Sequence, residues 1–341
     1  STGAEAFLLE PQSTNLVTQS ELFSDAYWTK SGASVVSGFT SPSGEANAFK
    51  VVNNSVVGSH HIKRTSSIPV SSNATYTYSV YLKKGTKDVI TIEDGAQFFG
   101  LASFNLTSKT ATNLSGTNAR IEEMSNGWFR CSVSVLSTST GLRFTIYSGT
   151  TSSGIDDSGD YYIYGAQLEQ QSYATSYIPS EGSQTTRNQE TCNNATPEIN
   201  SEEGVLYAEI SALADEAINR QITLSDGNNN VISFSYDGAS NNTNATIKIN
   251  GIVNRSFNYV LSDVAQFSKI AIRYSNTEFS FWVNGVERSV NTLASSFTSG
   301  TLNKLSFANS TNSQNFFGNT KDVQVYTKAL SDAELIKLTT I

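Results

Sequence analysis

Side chains from which chemistry is built are few and scattered in this sequence. The only histidines, His60 and His61, are neighbours, and successive side chains of a strand point to opposite faces, so at most one of them could serve a given site. A serine nucleophile needs such a base within hydrogen-bond reach, and no further histidine exists to supply one. Glycoside hydrolysis needs two carboxylates facing one another across a cleft, and no motif flags such a pair. There is no zinc-protease helix and no phosphate loop. The cysteines, Cys131 and Cys192, have no zinc spacing around them, and Cys131 alternates with Phe129, Val133 and Val135 as a small buried hydrophobe. The chain reads as non-catalytic, which turns attention to binding.

The elements that would position a binding surface are strands. Thr75 to Lys83 places Tyr76, Tyr78, Val80 and Leu82 on one face and Thr77, Ser79, Tyr81 and Lys83 on the other. Further strands are expected at Leu16–Val17, Ala48–Val52, Val57–Ile62, Val89–Ile92, Phe98–Phe104, Trp128–Val135 and Leu142–Tyr147. Tyr161 to Pro179 closes the set, with Tyr162, Tyr164, Ala166 and Leu168 alternating against Tyr161, Ile163, Gly165 and Gln167. If Phe129, Cys131, Val133, Phe144 and Ile146 fill a core, then Trp128, Arg130, Arg143 and Tyr147 face outward, joined by Tyr81 and Gln167. Aromatic faces stack on the CH face of a sugar, and Arg and amide groups meet its hydroxyls. The same aromatic surface would equally suit packing against a partner subunit.

After Pro179 the sequence is polar as far as Gly204, which predicts a first domain over 1–190, a linker over 191–203 and a second domain over 204–341. The second domain begins with Val205 to Leu213, its Leu206, Ala208 and Ile210 on one face, and continues through paired strands on either side of Asp226 to Asn230. Strands follow at Thr246–Asn250, Ser268–Tyr274, Glu278–Val283, Val286–Ser289, Leu305–Ala308 and Asp322–Tyr326. Asn284-Gly285 is the strongest hairpin signal in the chain. Trp282 falls out of phase with Phe279, Phe281 and Val283 and joins the candidate sugar-binding residues. Ser331 and Glu334 form a capping-box pattern ahead of a short helix over Asp332 to Leu338. The whole is predicted to be all-β, two β-sandwiches in tandem with one short C-terminal helix.

Composition narrows the partners. A formal net charge of -8 argues against a nucleic-acid backbone, and no apolar run approaches the roughly 18 residues of a spanning helix, so membrane insertion is not expected. The chain starts without Met and enters apolar sequence within a few residues, which reads as a segment of a longer protein.

Four runs, FLLEPQSTNLVTQSELFSDAYWTKSG, YSVYLKKG, NGWFRCSVSV and YYIYGAQLEQQSYATSYIPSEG, resemble a recurrent module of tailed-bacteriophage virion and fibre proteins, with a jelly-roll, carbohydrate-binding-module-like character. EGVLYAEI, ISFSYDG, FSFWVNGVE and KDVQVYTKALSDAELIKL are similar to concanavalin-like, laminin-G-type lectin domains. The resemblance implies adhesion to host-surface or environmental glycans, as a tail fibre or capsid decoration on the virion surface, with other virion subunits as partners and a homo-oligomer such as a trimer. Two alternatives stand beside it: tandem carbohydrate-binding modules of a secreted or cell-surface bacterial polysaccharide-degrading enzyme, and a purely structural subunit. It also implies structural calcium, with Glu21 and Glu169 in the first domain and Asp226 or Asp237 in the second as ligand positions. Glu93-Asp94 and Asp156-Asp157 fall in loops, where solvated turns explain them as well.

Overall fold

β-Branched and aromatic residues at alternate positions favour a pleated, half-buried backbone, while asparagine and glycine supply the left-handed positions at which strands reverse. Asn284 and Gly285 show the device, with φ of 52° and 78° in the turn joining Glu278–Val283 to Val286–Thr292. The computed structural model describes residues 6–54, 58–96, 99–149, 158–216, 218–293 and 295–341. Val57, Phe98 and the Asp156-Asp157 pair lie outside them. The chain forms two compact units, residues 12–188 and residues 189–341 together with 1–11.

The unit of residues 12–188 stacks two six-stranded antiparallel sheets. One runs in the order Thr110–Asn113, Phe99–Asn105, Val89–Asp94, Phe144–Ser148, His61–Arg64, Trp28–Ser31. The other runs Thr117–Glu123, Trp128–Ser137, Ala74–Lys84, Gly159–Glu169, Ala48–Asn53, Ala33–Phe39. Tyr76, Tyr78, Val80 and Leu82 meet Ile90, Ile92, Phe144 and Ile146 in the core between them. Cys131 is buried there too, as its alternation predicts.

The other unit pairs a six-stranded sheet, ordered Phe7–Leu9, Gly318–Tyr326, Gly204–Ala212, Ser268–Tyr274, Glu278–Val283, Val286–Thr292, with a five-stranded one, ordered Ile252–Val260, Asn242–Ile249, Val231–Tyr236, Arg220–Ser225, Lys304–Ser306. Leu206, Ala208 and Ile210 enter its core as their register requires. The helix Asp332–Thr339 carries the full Ser331–Glu334 capping box. The all-β, two-sandwich architecture with one short C-terminal helix is the observed one.

Several features differ from the sequence expectation, among them Glu93 and Asp94, which end the strand Val89–Asp94 and are buried where a loop was expected. Phe7–Leu9 pairs with Gly318–Thr320, and Leu9 is buried in the core of the unit formed by residues 189–341. Within 191–203, Ala195 bridges to Leu305 and Ile199 packs against that same core. Near the start of the other unit the strand is Ser13–Asn15, and the Leu16 amide donates to the Leu168 carbonyl at 2.8 Å instead. Finally, the last strand breaks its alternation: Tyr161 and Ile163 enter the core, and so do Ala166 and Leu168. The pairing with Ala74–Lys84 shifts between Tyr164 and Gln167, and Gly165 at φ 61° supplies the bulge that moves the inward set by one residue.

Candidate functional site

Beyond Glu169 the chain folds back across the outer face of the sheet that contains Trp128–Ser137 and Ala74–Lys84. This return segment, residues 170–182, is held down by polar contacts. The Glu169 carboxylate accepts from the Thr175 amide (2.9 Å), Thr175 Oγ1 (2.7 Å), Ser13 Oγ (2.6 Å) and Gln167 Nε2 (2.6 Å). Thr77 Oγ1 donates to the Gln171 carbonyl and Ser134 Oγ to the Ser172 carbonyl, both at 2.8 Å. At its far end Gln19 and Glu181 form a β-bridge, and Gly182 donates to Thr18 at 2.7 Å.

The return segment, with Phe39 and Thr40 beside it, covers the expected sugar platform. Trp128, Arg130 and Tyr81 do face away from the sandwich core, as the alternation predicts, yet they are covered: Trp128 is 1% exposed, Arg130 8% and Tyr81 8%. Arg130 donates to Ser79 Oγ at 3.3 Å and to the Thr175 carbonyl, and its guanidinium lies 5.5 Å from the Tyr81 ring centre. Trp128 Nε1 donates to the Thr40 carbonyl at 3.2 Å. Tyr147 lies in the other sheet, in Phe144–Ser148, and Arg143 immediately precedes that strand, so the five residues do not form one surface. Both are half-buried; Tyr147 packs its ring 4.7 Å from His61, and burial raises its phenol. In the second unit Trp282 is also out of the core, but Leu335 of the helix, with Val205, Tyr207 and Ala271, encloses it.

What the covered aromatics do is support a cleft. Tyr81, Tyr164 and Tyr177 pack in a triangle with ring centres 5.5 to 5.8 Å apart. Two of their hydroxyls converge on Glu21: Tyr164 donates to Oε1 at 2.8 Å and Tyr177 at 3.3 Å, while Asn47 Nδ2 donates to Oε2 at 3.3 Å. Burial, reinforced by the Glu21 charge, pushes both phenols far above their ordinary range, so they stay protonated and donate. Glu21 forms one wall of a cavity of about 400 Å³, with Gln19, Asn47 and Glu181 as polar lining and Leu22, Phe49 and Pro179 as apolar lining. Carboxylate, carboxamides and flat apolar surface together present acceptors and donors beside a stacking wall, which suits a hydroxyl-bearing ring. Among the lining residues no cation balances Glu21 and Glu181.

The acidic residues singled out for calcium are spent on other tasks. Glu21 and Glu169 belong to separate hydrogen-bond networks, and each oxygen of Glu169 already takes two donors. Asp226 closes its own hairpin, accepting from the amides of Asn228 and Asn230 and from Asn230 Nδ2. Burial opposes its ionisation, but these bonds outweigh that and hold its carboxyl below the usual range. Asp237 is engaged likewise by Ala239 and Asn242. Among the described residues no group of three or more His, Cys, Asp and Glu is placed to hold a metal ion.

Comparison with curated proteins gives no match. Among solved structures the chain is similar to the CBM40 of the Ruminococcus gnavus IT-sialidase bound to α2,3-sialyllactose, at 17% identity and TM-score 0.36, covering 41% of this chain and 83% of that one. It is similar also to domain 4 of AbnA, an extracellular arabinanase from Geobacillus stearothermophilus, in complex with arabinotriose, at 15% identity and TM-score 0.37 over 50% of this chain and 81% of that one. Domains LG4-5 of the mouse laminin α1 chain match at 10% identity and TM-score 0.28, covering 82% and 90% of the two chains. The family whose sequence model matches is the concanavalin A-like lectin/glucanases superfamily, over residues 209–336, from within the strand Gly204–Ala212 to within the closing helix.

Proposed function

We propose that the chain is a non-catalytic carbohydrate-binding protein built of two lectin-like sandwiches, and that the cleft at Glu21 is a sugar site of the first. The observation that carries this reading is the cleft itself: a carboxylate held by two protonated tyrosines, next to Asn47 and Gln19 and facing Leu22, Phe49 and Pro179. With Glu21 and Glu181 in the lining and no cation there, the site selects uncharged or amine-bearing sugars and repels acidic ones. The lectin-superfamily match over residues 209–336 supports the same class for the second unit. A pair of binding modules belonging to a polysaccharide-processing protein fits these observations; the phage-like sequence runs of the first unit support display on a virion surface, where many copies would strengthen weak single contacts.

The test is a broad glycan array probed with the whole chain, followed by calorimetry on the strongest hit. Glu21→Gln combined with Asn47→Ala is expected to weaken binding roughly tenfold or more, since hydrogen bonds to charged groups contribute about 1.5–3 kcal/mol each. A calcium chelator is expected to change nothing. A blank array, or full affinity in the double variant, would count against the site.

A further inference from the structure

A second depression lies elsewhere in the same unit, where the start of the return segment meets the strand Ser13–Asn15. It encloses about 550 Å³, within the roughly 300–1,000 Å³ of small-ligand sites, and four glutamines line it: Gln12, Gln170, Gln171 and Gln184. Among the described residues no charged side chain is in the lining, in a chain with 52 charged side chains, 22 basic and 30 acidic. The floor is rigid. The buried Tyr76 hydroxyl accepts from the Ser71 amide at 2.8 Å and donates to Gln170 Oε1 at 3.4 Å, while Gln171 Nε2 donates to the Gln12 carbonyl at 3.1 Å. Among the described residues Gln170 Nε2, Gln171 Oε1 and the side chains of Gln12 and Gln184 make no hydrogen bond within the protein. Leu16 and Val70 add apolar surface between the amides.

We infer that this glutamine-lined groove is a second carbohydrate site, specific for uncharged oligosaccharides and separate from the Glu21 cleft. A carboxamide presents one acceptor and two donors in a plane, which matches adjacent sugar hydroxyls that both donate and accept. A phosphate, a sulfate or an acidic sugar would find no cation here, and an acyl chain would leave the amides without partners. Because neither side of the contact carries charge, binding is insensitive to salt.

The experiment is calorimetric titration of the whole chain with cellohexaose, xylohexaose, maltohexaose and arabinohexaose, and with hexagalacturonic acid as the charged control. Two variants run in parallel: Gln12→Ala/Gln171→Ala/Gln184→Ala for the groove, and Glu21→Gln/Asn47→Ala for the cleft. At least one neutral hexasaccharide is expected to bind equally at 20 mM and 500 mM NaCl and to lose roughly tenfold or more in the groove variant. Retained binding in the groove variant, preference for hexagalacturonic acid, or no neutral ligand at all overturns the inference. Loss confined to the cleft variant would uphold the Glu21 site and reject the groove, and loss confined to the groove variant would do the reverse. An unchanged urea midpoint in the triple variant shows that its loss comes from binding and not from folding, and if that midpoint falls the same comparison is made with Gln184→Ala alone, at an exposed position.

Discussion

His61 shows how burial converts a side chain that looks available for chemistry into a structural one. It lies 7% exposed with Ser59 Oγ 3.0 Å from Nδ1 and the Tyr147 ring against it. Burial first, then the charges of Lys63 and His60, push its imidazole down to about 4. The folded chain therefore holds His61 neutral, whereas the unfolded chain takes up a proton near pH 6.5. Its contribution to stability is complete above pH 6.5 and is lost as pH falls from there through about 4. His61→Gln is expected to flatten the fall of the urea midpoint between pH 6.5 and 4, and an unchanged slope would assign that fall to other groups. Glu169 makes the complementary point: a carboxylate that suggests a metal ligand in sequence is saturated by four neutral donors in the fold.

At the scale of an element, the strand Gly159–Glu169 depends on one residue. Gly165 holds φ 61°, and a Cβ there would lie 3.0 Å from the Tyr81 ring and 3.1 Å from that of Tyr177. Gly165→Ala would therefore meet both left-handed backbone strain, about 1–2 kcal/mol for a residue with a Cβ, and a clash with the tyrosines that orient Glu21. The expected outcome is a lower urea midpoint together with weakened sugar binding at the cleft. Wild-type stability in this variant would mean that the bulge tolerates a side chain. Edge strands mark the other limit at this scale. Trp28–Ser31, Ala33–Phe39, Thr110–Asn113, Thr117–Glu123 and Ile252–Val260 have no counterpart among the expected strands, and each forms the end of its sheet. An edge strand has one paired side and buries little, so its hydrophobic alternation is faint.

For the molecule as a whole, the notable connection is that the first strand among the described residues belongs to a sheet of the unit formed by residues 189–341. Phe7–Leu9 covers the edge of Gly318–Tyr326, and the chain then leaves to build residues 12–188 before returning at 189. Removing residues 1–9 exposes that edge and takes Leu9 from its core. Hydrogen exchange should accelerate in Gly318–Tyr326 and leave Ala74–Lys84 unchanged. Equal acceleration in both strands would show that the two units do not respond separately to the loss.

Sequence alone determined the class of the fold and the inward faces of its central strands, because central strands are buried and their period of two is strong: Tyr76 to Leu82, Leu206 to Ile210 and the Ser331–Glu334 cap all appear where the residues place them. It also separated Trp128, Arg130, Tyr81 and Trp282 from the cores. Only the tertiary structure decided that these outward faces are covered, by residues 170–182 together with Phe39 and Thr40 over one sheet and by the closing helix over another. Periodicity reports which side of a strand a residue takes and nothing about what packs on that side. The bulge at Gly165, the convergence of Tyr164 and Tyr177 on Glu21 and the grouping of four glutamines join residues far apart in the chain, and no local pattern encodes such meetings.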